Sequence, residues 1–171
     1  ILITGSNSGF GLLAALTLAS GGHQVVATMR TTAKGGEIRR IAEDEGLDIE
    51  IRQLDVSDPD SVTACIADPL DIDVLVNNAG IGGPRAALED ISYEDWDRTV
   101  PLNFSGPLFC IKKAAPLIEA PKSGCIINIS TPSVRTRLPL RAPHVASKEG
   151  LIGLTHTVAP ALRPSKILFH C

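Results

Sequence analysis

The stretch TGSNSGFG, residues 4–11, follows the apolar run ILI and leads into FGLLAALTLAS at residues 10–20. Residues 1–4 read as a strand and residues 10–20 as an apolar helix. Between them Gly5, Gly9 and Gly11 fall in a GxxxGxG spacing. A strand, a glycine-rich turn and a helix together make an anion site. Backbone N–H groups at the helix start face the anion, and the helix dipole favours its charge. Glycine suits such a turn because a side chain would block the anion or force a strained dihedral.

The next strand extends the reading. QVVAT, residues 24–28, is a short β-branched run behind Gly21 and Gly22. A βαβ unit that holds NAD ends this strand with an acid for the ribose hydroxyls. Here the strand ends at Met29 and is followed by Arg30. A guanidinium pairs with a 2′-phosphate instead, so the expected cofactor is NADP(H) in preference to NAD(H).

Strand-like and helix-like segments alternate along the rest of the chain. Strands are expected at residues 49–53, 72–76, 125–129 and from 167 onward. A polar helix is expected at 37–45, and a short one follows Ser57, Asp58 and Pro59, residue types that start helices. Helix is also expected at 93–118, interrupted near Pro101, and at 144–162, interrupted at Pro160. This alternation implies an α/β domain with a parallel sheet. A length of 171 residues fits one domain, 1–171.

Net charge is -3, which gives no electrostatic footprint for nucleic acid. Arg135, Arg137 and Arg141 are read as solvated loop residues. No apolar run reaches the length of a membrane span. Cys65, Cys110, Cys125 and Cys171 lack metal-ligand spacing; Cys65, Cys110 and Cys125 lie within expected helices or strands and read as small apolar groups, so a reducing, cytoplasmic setting is expected.

Several further marks lie in register with the glycine turn. LDVSD carries the acid-apolar pair Asp55-Val56. NNAG, residues 77–80, ends the fourth strand. Asn103 stands in NFSG, Ser130-Thr131 follow IINI, and HVASK spans 144–148. In this order the chain resembles the short-chain dehydrogenases/reductases. The resemblance implies a Rossmann-like, doubly wound parallel sheet with helices on both faces. It implies a dinucleotide held by Gly5, Ser6, Ser8, Gly9, Phe10, Gly11, Arg30, Asp55, Val56, Asn78, Ala79, Gly80 and Lys148. It further implies a small carbonyl or alcohol substrate, a homo-oligomer, and a chain truncated at both ends relative to the family.

Members of that family pass a hydride between nicotinamide and a carbonyl or carbinol carbon. A Tyr hydroxyl moves the accompanying proton, and a Lys four residues on lowers its pKa. A Ser hydroxyl binds the substrate oxygen, and an Asn supports a proton path. By resemblance these positions fall on Lys148, Thr131 (beside Ser130) and Asn103, while the Tyr position is His144. Tyr93, the one tyrosine in the sequence, lies in another helix. Two functions follow as expectations. One is an NADP(H)-dependent oxidoreductase with His144 in the tyrosine's place. The other is a catalytically silent dinucleotide-binding sensor or partner, or a decayed fragment.

Overall fold

The computed structural model describes residues 1–66, 70–118 and 124–171. Six parallel strands form one sheet in the order β3-β2-β1-β4-β5-β6. They are β1 (Leu2–Ile3), β2 (Val25–Met29), β3 (Ile49–Gln53), β4 (Val74–Asn77), β5 (Cys125–Asn128) and β6 (Leu168–His170). The order reverses between β1 and β4. That reversal opens a crevice at the carboxyl ends of the strands, where open α/β sheets bind ligands.

Period-two alternation divides the core between the two faces of the sheet. Leu2 and Leu75 point to one face, Ile3 and Val76 to the other. The helices α1 (Gly9–Ser20) and α2 (Gly36–Glu45) cover the second face with Leu12, Ala15, Ala19 and Ile38. The first face is covered by α3 (Pro59–Ile66) and α5 (Gly106–Ile118), through Val62, Cys65, Ile66, Cys110, Ala114 and Ile118. Leu2, Ile3 and Leu75 are 0% exposed. Burial of each such side chain is worth roughly 1.5–3 kcal/mol, which makes the central strands the anchor of the fold.

The fold is the expected one, but two prolines act differently from the sequence reading. Residues 93–118 do not break at Pro101. After α4 (Tyr93–Val100) the chain widens into a π-helical turn, Pro101–Ser105, and continues directly into α5. Pro101 has no N–H for the preceding turn. The Gly106 N–H bonds back five residues to the Pro101 carbonyl. Such π turns swing a side chain out of the helical repeat, and here the one fully buried is Asn103. Pro160 does not interrupt its helix either. It lies inside α7 (Ala142–Leu162), in the last turn, where one lost bond is tolerated. A short helix, α6 (Ser133–Thr136), stands in the loop before α7.

Cys65 and Cys110 are buried as expected, Cys125 is half-buried, and Cys171 is exposed. Burial pushes the Cys110 thiol up to about 12, so it packs as a neutral group. Phe109 and Ile111 face this domain's own core, and Phe104 lies against Gly150 of α7. No described helix is long and apolar enough to cross a membrane.

A chain of buried polar side chains ties the second half of the sheet to α7. Asn77 Nδ2 donates to Asn128 Oδ1 at 2.8 Å, and Asn128 Nδ2 donates to Thr155 Oγ1 at 3.0 Å. Thr155 Oγ1 in turn donates to the Leu151 carbonyl at 2.8 Å. Removing the middle link strands the buried Asn77 amide without its acceptor. Asn128→Ala is therefore expected to lower stability by about 2 kcal/mol. Urea unfolding would read this as a lower midpoint at unchanged slope; an unchanged midpoint would remove the network from the stability of the fold.

Candidate active site

The turn after β1 is built around close backbone approaches. Gly5 has φ +70, and a Cβ there would lie 2.9 Å from the Ala79 Cα. A Cβ on Gly11 would collide with the Gly5 carbonyl oxygen and the Asn78 side-chain amide. Gly9 has φ +57 and faces open space. Glycine is thus required at Gly5 and Gly11 by the approach of the NNAG segment, in addition to any ligand. That segment is sewn to the turn. Asn78 N and Ala79 N both donate to Thr4 Oγ1, at 3.0 and 2.9 Å. Asn78 Nδ2 donates to the carbonyls of Thr4 (2.9 Å) and Gly5 (3.1 Å).

Above this seam lies a cavity of about 550 Å³ across the carboxyl ends of the strands. At its floor α1 begins with no side-chain cap on Ser8 and no acid in its first turn. An uncapped N-terminus facing a cavity suits an anion. Gly5, Ser8, Gly9, Phe10 and Gly11 all line it. Ser6 does not: it is fully buried, and its hydroxyl donates to the Ile3 carbonyl at 3.0 Å. Ser6 braces the turn from behind.

Toward β2 and β3 the cavity wall holds Arg30, Thr31, Lys34, Asp55 and Val56. Arg30 and Lys34 are exposed and form no ion pair among the described residues. Two unpaired cations at one end of a cleft suit a phosphate. Lys34 escaped the sequence reading. It sits in a 3-10 turn, Thr32–Gly35, where no motif marks it. Asp55 is held by Ser57, whose N–H and hydroxyl both donate to Asp55 Oδ1, at 3.0 and 2.6 Å.

Toward β4, β5 and α7 the wall is formed by Asn78, Ala79, Gly80, Ile81, Ser130, His144 and Lys148. Lys148 is 4% exposed, and its Nζ donates to the Ile129 carbonyl at 2.6 Å. Burial lowers its pKa from the ordinary lysine value. His144 stands one helical turn before it, with Nδ1 3.0 Å from the Ile81 carbonyl. Ser130 lines the cavity, whereas Thr131 is tied to Ser133, both hydroxyl to hydroxyl (3.2 Å) and as acceptor from the Ser133 N–H (3.3 Å). Asn103 sits behind the wall. It accepts from the Ile81 N–H at 2.8 Å and donates to the Ile81 carbonyl at 2.9 Å and to Ser147 Oγ at 3.1 Å.

Arg141 departs from the sequence reading. Arg135 and Arg137 are exposed, but Arg141 is half-buried and donates to the carbonyls of Gly82 (3.1 Å) and Gly83 (3.2 Å). With the bond from the Ala86 N–H to the Leu140 carbonyl, it ties the loop before α7 to the segment after β4. A guanidinium with nearby free carbonyls does not stay in solvent.

The short chain dehydrogenase family model matches residues 1–171. A 3beta-hydroxysteroid dehydrogenase of Mediterraneibacter gnavus is 34% identical over 163 residues, covering 93% of this chain and 59% of its own. A 3-oxoacyl-(acyl-carrier-protein) reductase of Synechocystis sp. is 38% identical over 167 residues, covering 94% and 67%. Among solved structures, a metagenomic short-chain oxidoreductase in complex with NADP superposes with a TM-score of 0.90 at 33% identity. It covers 97% of this chain and 77% of that one. The chain thus spans about three fifths to two thirds of the length of these curated relatives.

The burial of Lys148 makes a stability prediction. The folded chain binds this proton more weakly than the unfolded chain. Between the lowered value and the ordinary one near ~10.4, the unfolded state therefore holds more protons, and stability rises with pH. Below that window the buried ammonium is a standing cost. Lys148→Met should remove this rise, so that the stability difference between variant and parent shifts in the parent's favour from neutral pH toward about pH 10. Urea midpoints at a series of pH values check it; parallel curves would mean that the ammonium is not penalised by burial.

Proposed function

The chain belongs to the short-chain dehydrogenase family, and on that premise we propose that it binds NADP(H) and moves a hydride between nicotinamide and a small carbonyl compound or secondary alcohol. One observation carries the reading. A single cavity joins the uncapped start of α1, the Arg30 and Lys34 cations and the Ser130–His144–Lys148 end. A dinucleotide has this layout, with a pyrophosphate in the middle, an adenosine at one end and a reactive ring at the other. The NADP in the metagenomic neighbour is consistent with it.

The residues would divide the work as follows. The start of α1, with Gly5, Gly9 and Gly11, receives the pyrophosphate. Arg30 and Lys34 pair with the 2′-phosphate. Asp55 and Val56 flank the adenine, and Asn78, Ala79 and Gly80 lie along the ribose. Lys148 binds the nicotinamide ribose. The dinucleotide supplies or accepts the hydride, and the protein positions it. Thr131 or its neighbour Ser130 holds the substrate oxygen; Ser130 is the one whose residue lines the cavity. His144 exchanges the proton, and Asn103 positions it from behind. An imidazole is shorter than a phenol, and proton transfer is sensitive to displacements of roughly 1 Å. A silent dinucleotide-binding protein is therefore the second reading, and the replacement of the family's tyrosine by His144 is what favours it.

Titration with NADPH and with NADH, followed by nicotinamide fluorescence, tests the cofactor. Saturable binding with NADPH the tighter ligand is expected, and absence of binding by either would overturn the reading. The double substitution Arg30→Ala with Lys34→Ala should weaken NADPH about tenfold, ~1.4 kcal/mol, and leave NADH nearly unchanged. Turnover is tested in both directions, by NADPH oxidation with a panel of ketones and by NADP reduction with the corresponding secondary alcohols. His144→Tyr is expected to raise the rate; binding without turnover in both chains would decide for the silent reading.

A further inference from the structure

We propose that the Ile81 carbonyl fixes His144 in the Nδ1–H form of its ring, so that Nε2 is the atom that exchanges protons and, in the neutral ring, acts as an acceptor. The proposal rests on the reading of His144 as the proton-transfer group. It starts from one contact: His144 Nδ1 lies 3.0 Å from the Ile81 carbonyl oxygen. A carbonyl oxygen only accepts, so Nδ1 must carry the hydrogen. A neutral imidazole has a single N–H, which leaves Nε2 with a bare lone pair.

The carbonyl is held still enough to impose that choice. Asn103 grips the Ile81 main chain at two points, with Oδ1 accepting from its N–H at 2.8 Å and Nδ2 donating to its carbonyl oxygen at 2.9 Å. The Ile81 oxygen has two lone pairs, one for Asn103 and one for His144. The amide cannot be reversed, because Nδ2 would then face the Ile81 N–H, donor against donor. Its orientation is fixed again by Ser147, whose hydroxyl accepts from Asn103 Nδ2 at 3.1 Å and donates to the His144 carbonyl at 2.8 Å. Asn103 is 0% exposed, so water does not compete for these bonds. His144 lines the cavity, and with Nδ1 engaged, Nε2 is the nitrogen left for a bound molecule.

A direction of chemistry follows. A phenol both donates and accepts in its neutral state; a neutral Nδ1–H imidazole offers the cavity only an acceptor. It therefore receives the hydroxyl of a secondary alcohol and repels a carbonyl oxygen. In the oxidation, the alcohol O–H breaks and its proton forms the Nε2–H bond. With an oxidised dinucleotide bound to take up the carbinol hydride, the carbonyl product would form and the proton would pass from His144 to solvent. Reduction requires the imidazolium, whose Nε2–H can donate. The structure thus favours alcohols as substrates of the neutral site.

The tautomer can be read without any ligand. The chain has four histidines, and His23, His156 and His170 are exposed. Replacing those three by Gln leaves His144 as the one histidine. Long-range proton–nitrogen correlation on the histidine-labelled chain, at about pH 9 and above the ordinary imidazole range, should show a protonated Nδ1 and an unprotonated Nε2. A protonated Nε2, or two averaged nitrogens, would overturn the proposal. In Asn103→Ala the single-form pattern should be lost; a pattern unchanged from the parent would overturn the part assigned to Asn103, and should that variant not fold, the parent spectrum alone decides the tautomer. An Nε2–H ring in a chain that binds NADPH defeats this inference alone. Failure to bind either dinucleotide defeats the cofactor reading, whatever the ring's state.

Discussion

The whole site depends on how closely two backbones meet at the reversal point of the sheet. The turn after β1 and the turn after β4 lie in contact because neither Gly5 nor Gly11 has a Cβ to hold them apart. Thr4 then uses its hydroxyl as acceptor for two successive N–H groups, and Asn78 returns two bonds to the carbonyls of the first turn. At about 1 kcal/mol net for each of its four bonds, this seam contributes more than a single well-buried apolar side chain. It also fixes the two halves of the cavity relative to each other. The half lined by the start of α1, Arg30 and Lys34 and the half that holds His144 and Lys148 share this hinge of backbone, so the spacing between them is set by the seam.

From there positioning passes by backbone groups more than by side chains. Gly80 lies where Asn103 and Lys148 converge, since a Cβ on it would be 3.2 Å from Asn103 Oδ1 and 3.5 Å from Lys148 Nζ. Ile81, the next residue, is oriented by Asn103, and Asn103 reaches it because Pro101 widens the helix into a π turn. A helix of regular pitch would carry that side chain round to a different face. The proline thus acts at a distance: it changes helix pitch, the pitch directs an amide, and the amide directs a carbonyl onto the imidazole.

The fold was legible because its signals are local. The strand at residues 49–53 and the start of α1 follow from hydrophobic period and glycine spacing, and the order of the marks implied the sheet reversal. What escaped depends on groups without sequence identity. Ile81 matters through its carbonyl, which every residue has. Lys34 approaches the cavity from a 3-10 turn whose path no motif fixes. Arg141 reads as one of three basic loop residues until the chain brings the Gly82 and Gly83 carbonyls within reach. Ser6 and Ser8 are equivalent in the sequence pattern, yet one turns into the core and the other to the cavity. Alternation within a turn is decided by dihedrals that composition does not reveal.

Lys148 and His144 show how backbone carbonyls set the polar end of the cavity. Both groups are one turn apart on α7, and each is committed to a carbonyl, of Ile129 and Ile81. A buried ammonium close to the cavity is costly, and its bond to the Ile129 carbonyl offsets part of that cost. With a phenol in the histidine position, a neighbouring cation would favour the phenolate and so the loss of a proton. A neutral imidazole is already an acceptor at its bare nitrogen. The neutral imidazole reaches that state without building a negative charge, and the Ile81 carbonyl then determines which of its two nitrogens bears the lone pair.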